Sequence, residues 1–149
     1  RLAAGDTAGT TAAAGEALRL APEQGGAREM LMLAALGRGE LTVAEGELAQ
    51  LGPEARAAEV PATVAAMIRL ARLQTAEARA GFEDVLKRFP ESVGARVGLA
   101  RTLMAQGVEG EPERLLGEVL QRQPGHAEAA ARLAALASAG GARAPVARQ

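Results

Sequence analysis

Residues 93–124, VGARVGLARTLMAQGVEGEPERLLGEVLQRQP, read as two helices with a break between them and a stop at the end. Leu99 and Leu103 lie four apart, the spacing that puts side chains on one helical face. Gly107 follows Gln106, where a residue free to turn left-handed ends a helix. Pro124 lacks the N–H and the conformational range to carry a second helix onward. Ser92, just ahead of Val93, is placed to cap the first helix.

The same punctuation recurs when the chain is read outward in steps of 34. From Gly5 the steps land on Gly39, Leu73, Gly107 and Gly141. From Pro22 they land on Arg56, Pro90 and Pro124, with Pro53 three residues ahead of Arg56. Leu31, Ala65, Leu99 and Leu133 form a third column, each followed by Met or Ala. Thr10, Ala44, Ala78 and Pro112 form a fourth; Ala14, Leu48, Phe82 and Leu116 form a fifth. Alanine is so common here that the Gly and Pro columns carry most of the weight.

These columns resemble the tetratricopeptide repeat (TPR) family, whose 34-residue helix–turn–helix unit has a large–small apolar pair in its first helix, Gly at the turn and a closing Pro. Leu99-Ala100, Leu103, Gly107, Leu116 and Pro124 carry the match most fully. The resemblance implies an all-α, right-handed superhelical solenoid of antiparallel helix pairs, about seven to eight helices in all. Its units would be a partial one over 1–22, then about 25–56, 59–90 and 93–124, a final helix over 126–139 and a flexible tail over 141–149. Two departures stand out. The family's aromatic positions are mostly Ala or Leu, and Pro112 takes a slot usually held by Ala. The unit 59–90 fits least well, with Arg69 and Leu73 where an apolar residue and Gly belong, and a slip of a residue or two is expected in its first helix.

Helices are predicted at 6–21, 24–37, 40–51, 57–72, 75–88, 92–106, 111–122 and 126–139. Thr75 and Ser92 are the expected N-caps. Glu83 with Lys87 and Glu118 with Arg122 are the expected surface pairs. No segment alternates with period two, so no sheet is expected. Arg1 falls at the eleventh position of a unit, and no initiator Met or signal segment opens the chain. The expectation is a piece of a longer protein, or a processed chain, with an incompletely covered face at Ala13, Ala17 and Leu20.

Composition narrows the function. The chain has one His, no Cys, no Trp, no Tyr and two Phe. General acid–base and nucleophilic sites need such groups in sets, and a zinc site needs three or more protein ligands. No phosphate-cradling glycine motif or paired-histidine metal motif occurs. His126, after Pro124-Gly125, reads as an exposed turn residue, and the Glu residues as a solvated surface. A non-enzyme with no cofactor and no metal is expected. A formal net charge of −1 offers no field for nucleic acid. The longest apolar run, Met30 to Leu36, is far short of the roughly 18 residues a membrane span needs, so no direct membrane insertion is expected. The absence of cysteine leaves bacterial periplasm and cytoplasm both open, and a family-level likeness to segments that support polysaccharide export leans toward the periplasm. The abundance of Arg, Ala and Gly suggests a GC-rich bacterial source.

In the TPR family the first helix of each unit lines a concave face. Carried over, that gives Glu29, Leu33 and Leu36; Val60, Thr63, Met67 and Leu70; Val97, Arg101 and Met104; and Ala131 and Ala135. The family's carboxylate-gripping variant uses Lys and Asn at such positions. This chain has no Asn, and its only Lys, Lys87, falls in a second helix. A mixed Leu, Met and Val surface with one Glu and one Arg suits an apolar helix or extended segment. The competing reading is that several of these side chains pack between helices. Three roles follow: an interaction scaffold within a larger bacterial protein that binds a peptide or helix, a self-associating structural module, or a regulatory arm of an enzyme.

Overall fold

Four helices begin at Gly25, Glu59, Val93 and Ala127, each 34 residues after the last. The first three are α1 (Gly25–Gly37), α4 (Glu59–Ala71) and α6 (Val93–Ala105), all 13 residues long. Between them lie α2 (Leu41–Ala49), the single turn α3 (Pro53–Arg56), α5 (Thr75–Arg88) and α7 (Glu111–Arg122), and α8 (Ala127–Ala147) closes the series. These elements come from a computed structural model that describes residues 25–147. The predicted helix 6–21, its open face and the partial unit 1–22 lie outside the described residues. Within them the protein is all-α, with no strand.

The exits of α1, α4 and α6 share one backbone motif. Gly39, Leu73 and Gly107 have φ of 75°, 62° and 77°. The following residue in each case closes a long return bond: Glu40 N–H to Ala35 O at 2.9 Å, Gln74 to Arg69 at 2.8 Å, Val108 to Leu103 at 3.0 Å. This is the left-handed termination that glycine favours, and at Leu73 a leucine adopts it. The conformation costs a side-chain-bearing residue about 1–2 kcal/mol. No slip occurs in α4: its start and exit keep step with α1 and α6.

Other starts are set locally. The Ser92 hydroxyl accepts from Ala95 N–H at 3.2 Å and caps α6 as predicted. Thr75 does not cap α5: it is the first helical residue, and Gln74 stands at the cap without a side-chain bond. Pro53 opens α3, and Pro112 sits in the first turn of α7, where its missing N–H has no partner to lose. His126 is half-buried rather than an open turn residue, because its Nδ1 accepts from Ala129 N–H at 3.1 Å and caps α8. That helix runs on to Ala147, past the expected end at 139, so the segment expected as a tail begins in helical form. Gly140 and Gly141 weaken a helix by about 1 kcal/mol each without forbidding it.

Successive helices pack on one another, and α4 also packs on α1 and α6. One core group, Met32, Ala35, Ala44, Val64 and Ile68, joins α1, α2 and α4. The larger group surrounds Phe82, which is fully buried among residues of α4, α6 and α7 such as Ala66, Leu99, Leu103 and Leu116. Small residues let these helices approach. A β-carbon on Gly98 of α6 would lie 2.2 Å from Phe82 Cε1, so only glycine fits beneath that ring. Phe89 is half-buried and stacks under the Arg88 guanidinium, 5.3 Å from its ring centre.

Surface charges pair differently from expectation. Glu83 is held by Arg79 at 3.4 Å, and Glu118 by Arg114 at 3.0 Å. Arg122 instead reaches back to Glu91 at 2.9 Å, and Arg88, 34 residues earlier, bonds Ala57 O. The planar guanidinium fork spans from one helix end to the next helix entry, which a neighbour on the same helix does not require.

Candidate binding surface

The expected contact residues lie on three helices that adjoin in space, α1, α4 and α6. On α1, Leu33 is 49% exposed and Met30 beside it 43%. Glu29 is half-buried, and Leu36 turns its side chain against the Met32 core group. On α4, Val60 also packs on that group, whereas Met67 and Leu70 pack on the Phe82 group. Thr63 is 8% exposed, and its hydroxyl donates to Glu59 O at 2.7 Å, so it has little left to offer a ligand. On α6, Val97 is 3% exposed and belongs to the core. Arg101 is half-buried, with Nε 3.8 Å from Glu128 Oε1 of α8. Ala131 and Ala135 of α8 are exposed.

Met104 takes part in something larger. With Val108, Leu133 and Leu136 it lines an apolar hollow of about 580 Å³ between the exit of α6, the entry of α7 and α8, rimmed by Glu109 and Glu113. The residues 34 positions before Leu133 and Leu136 are Leu99 and Thr102, both buried. Leu133 and Leu136 are only half-covered, which is why the hollow exists.

Two smaller hollows, of about 290 Å³ and about 240 Å³, share Glu45, Leu48, Ala65 and Arg69 and form two ends of one cleft between α2 and α4. The nearest sequence signal to this cleft is the departure at Arg69. Its neighbours Arg56 and Arg72 follow only once α2, α3 and α4 are packed.

The titratable groups show no catalytic arrangement. Arg38 donates to Glu40 and holds that carboxyl below its ordinary value, and Glu111 raises the Arg114 guanidinium in the same way. Both are solvent-facing pairs on helix ends. Among the described residues no group of three or more His, Asp or Glu is placed to hold a metal, and no helix is long and apolar enough to cross a membrane. No protein-family model matches the chain, and no curated protein is significantly similar to it.

Proposed function

We propose that this chain is a non-enzymatic, TPR-like scaffold that binds a peptide or helix of another protein across α1, α4 and α6. The observation that carries the reading is the 34-residue spacing of the starts of those helices, matched by left-handed exits at Gly39, Leu73 and Gly107. Units built alike and stacked side by side present the same helix of each unit along one continuous surface. Exposed Met30 and Leu33 supply apolar contact there, and the half-buried Glu29 and Arg101 supply charges that orient a ligand. Thr63 and Val97 support that surface from beneath. A role within a larger bacterial assembly protein, including one of the envelope, is consistent with this reading.

Leu33→Glu is the clean test, because Met67 packs on the core and its replacement disturbs folding as well. Labelled, uncharged amphipathic helical peptides are titrated against the wild-type chain and this variant, followed by fluorescence anisotropy. Saturable binding that Leu33→Glu removes while helical circular dichroism and melting stay unchanged supports the scaffold. Binding that persists in the variant, or no saturable binding by any peptide, overturns it.

A further inference from the structure

The positions at which the second unit breaks its own 34-residue pattern converge on one place. Arg56 stands in the column otherwise held by Pro22, Pro90 and Pro124, and Arg69 stands 34 residues before Leu103. Both line the cleft between α2 and α4. Leu73, the leucine in the glycine column, lies between Arg72 and Gln74, which line its other end. Leu103 is 2% exposed and closes the matching place in the next unit, whereas Arg69 is exposed and leaves the cleft open.

The surroundings are otherwise equivalent. Arg72 Nη2 bonds Glu45 Oε1 at 2.5 Å across the cleft. Thirty-four residues on, Arg79 Nη1 bonds Gln106 Oε1 at 3.3 Å, the same two places with donor and acceptor exchanged. Glu45 is thus engaged by Arg72. Arg69 makes no side-chain hydrogen bond or ion pair among the described residues. Arg56 spends Nε on Leu51 O at 2.9 Å, and its terminal nitrogens bond nothing else among the described residues. Three guanidinium groups face one carboxylate that is already paired, above a floor of Leu48, Pro61, Ala65 and Ile68.

We propose that this cleft is a second binding site, for an acidic peptide segment that seats an apolar side chain on the floor and a carboxylate on Arg69 and Arg56. Guanidinium groups bind carboxylates through paired, charge-assisted hydrogen bonds. Each end is smaller than the roughly 300–1,000 Å³ of a small-molecule pocket, a size that suits anchoring side chains rather than a free metabolite. The site is distinct from the surface proposed above. On α4 it uses Ala65, Arg69 and Arg72, a stripe offset by two residues from Thr63, Met67 and Leu70, about 200° around the helix.

The probe is a short fluorescein-labelled peptide with one leucine flanked by glutamates, with a lysine-flanked version as control. Wild-type protein is expected to bind the acidic peptide saturably, more weakly as salt rises, and the lysine version not at all. Arg69→Leu restores the residue type of position 103. It is expected to weaken acidic-peptide binding about tenfold or more, the worth of one charge-assisted hydrogen bond, while raising the melting temperature. Arg69→Gln gives the same loss of binding without altering the apolar packing, and Leu33→Glu leaves acidic-peptide binding intact. Equal binding of both peptides, or full binding by Arg69→Leu and Arg69→Gln, overturns the proposal. Displacement of the peptide by sub-millimolar inorganic phosphate also overturns it, in favour of a phosphate site.

Discussion

Phe82 and Gly98 are fitted to each other across the α5–α6 contact. The ring lies so near the glycine that a β-carbon at position 98 would sit 2.2 Å from Cε1 and 2.3 Å from Cζ. The only fully buried aromatic side chain among the described residues therefore rests on a helix surface stripped to its backbone. In a chain so poor in aromatics, this pair does for the central core what several large side chains do elsewhere.

The pair predicts a sign reversal. Gly98→Ala is expected to destabilise by about 1–3 kcal/mol through overpacking, although alanine ordinarily favours a helix interior. Phe82→Ala alone costs about 3–5 kcal/mol. In the Phe82→Ala background Gly98→Ala becomes neutral or stabilising, by up to about 1 kcal/mol. A denaturation cycle over the four proteins measures this, and simple additivity would show that the two residues are not in contact.

Leu73 is 85% exposed and adopts φ 62°, so its side chain gains little from burial and its backbone is strained. Leu73→Gly is expected to stabilise by about 1 kcal/mol, and Gly39→Leu and Gly107→Leu to destabilise by a similar amount. Thermal melts of the three variants decide it. A Leu73→Gly protein less stable than wild type would mean that the turn is not held left-handed.

His126 caps α8 through Nδ1. Its replacement by alanine is expected to cost about 1 kcal/mol, and replacement by asparagine or serine to recover most of that. Urea denaturation of the three variants tests this. Equal losses in all of them would show that the ring acts by packing, not by accepting the Ala129 N–H.

Much of this was legible in the sequence because the signals are local. Gly39 and Gly107 mark helix exits wherever they fall, and Ser92 caps the helix it precedes. Leu73 was harder: its side chain argues against the turn that its neighbours on either side impose. Thr75 misled because a good capping residue one position late becomes an ordinary helical residue. The ion pairs misled because helical spacing counts only neighbours on the same helix, whereas Arg122 and Arg96 reach other elements. Of the expected contact residues, family spacing separates helix faces but not depth. Leu33 therefore came out open, while Val97 at a corresponding place lies under its neighbours.

The sequence by itself determined that the chain is helical, where most helices start and stop, and that catalytic sets of side chains are lacking, since periodicity, caps and composition act within a few residues of one another. Only the tertiary structure decided that Gly98 must be glycine, that Arg101 meets Glu128, and that Arg56, Arg69 and Arg72 share one cleft. Those relationships depend on how close two helices come and at what rotation. Both are set by the summed packing of many small side chains, which no short stretch of the chain encodes.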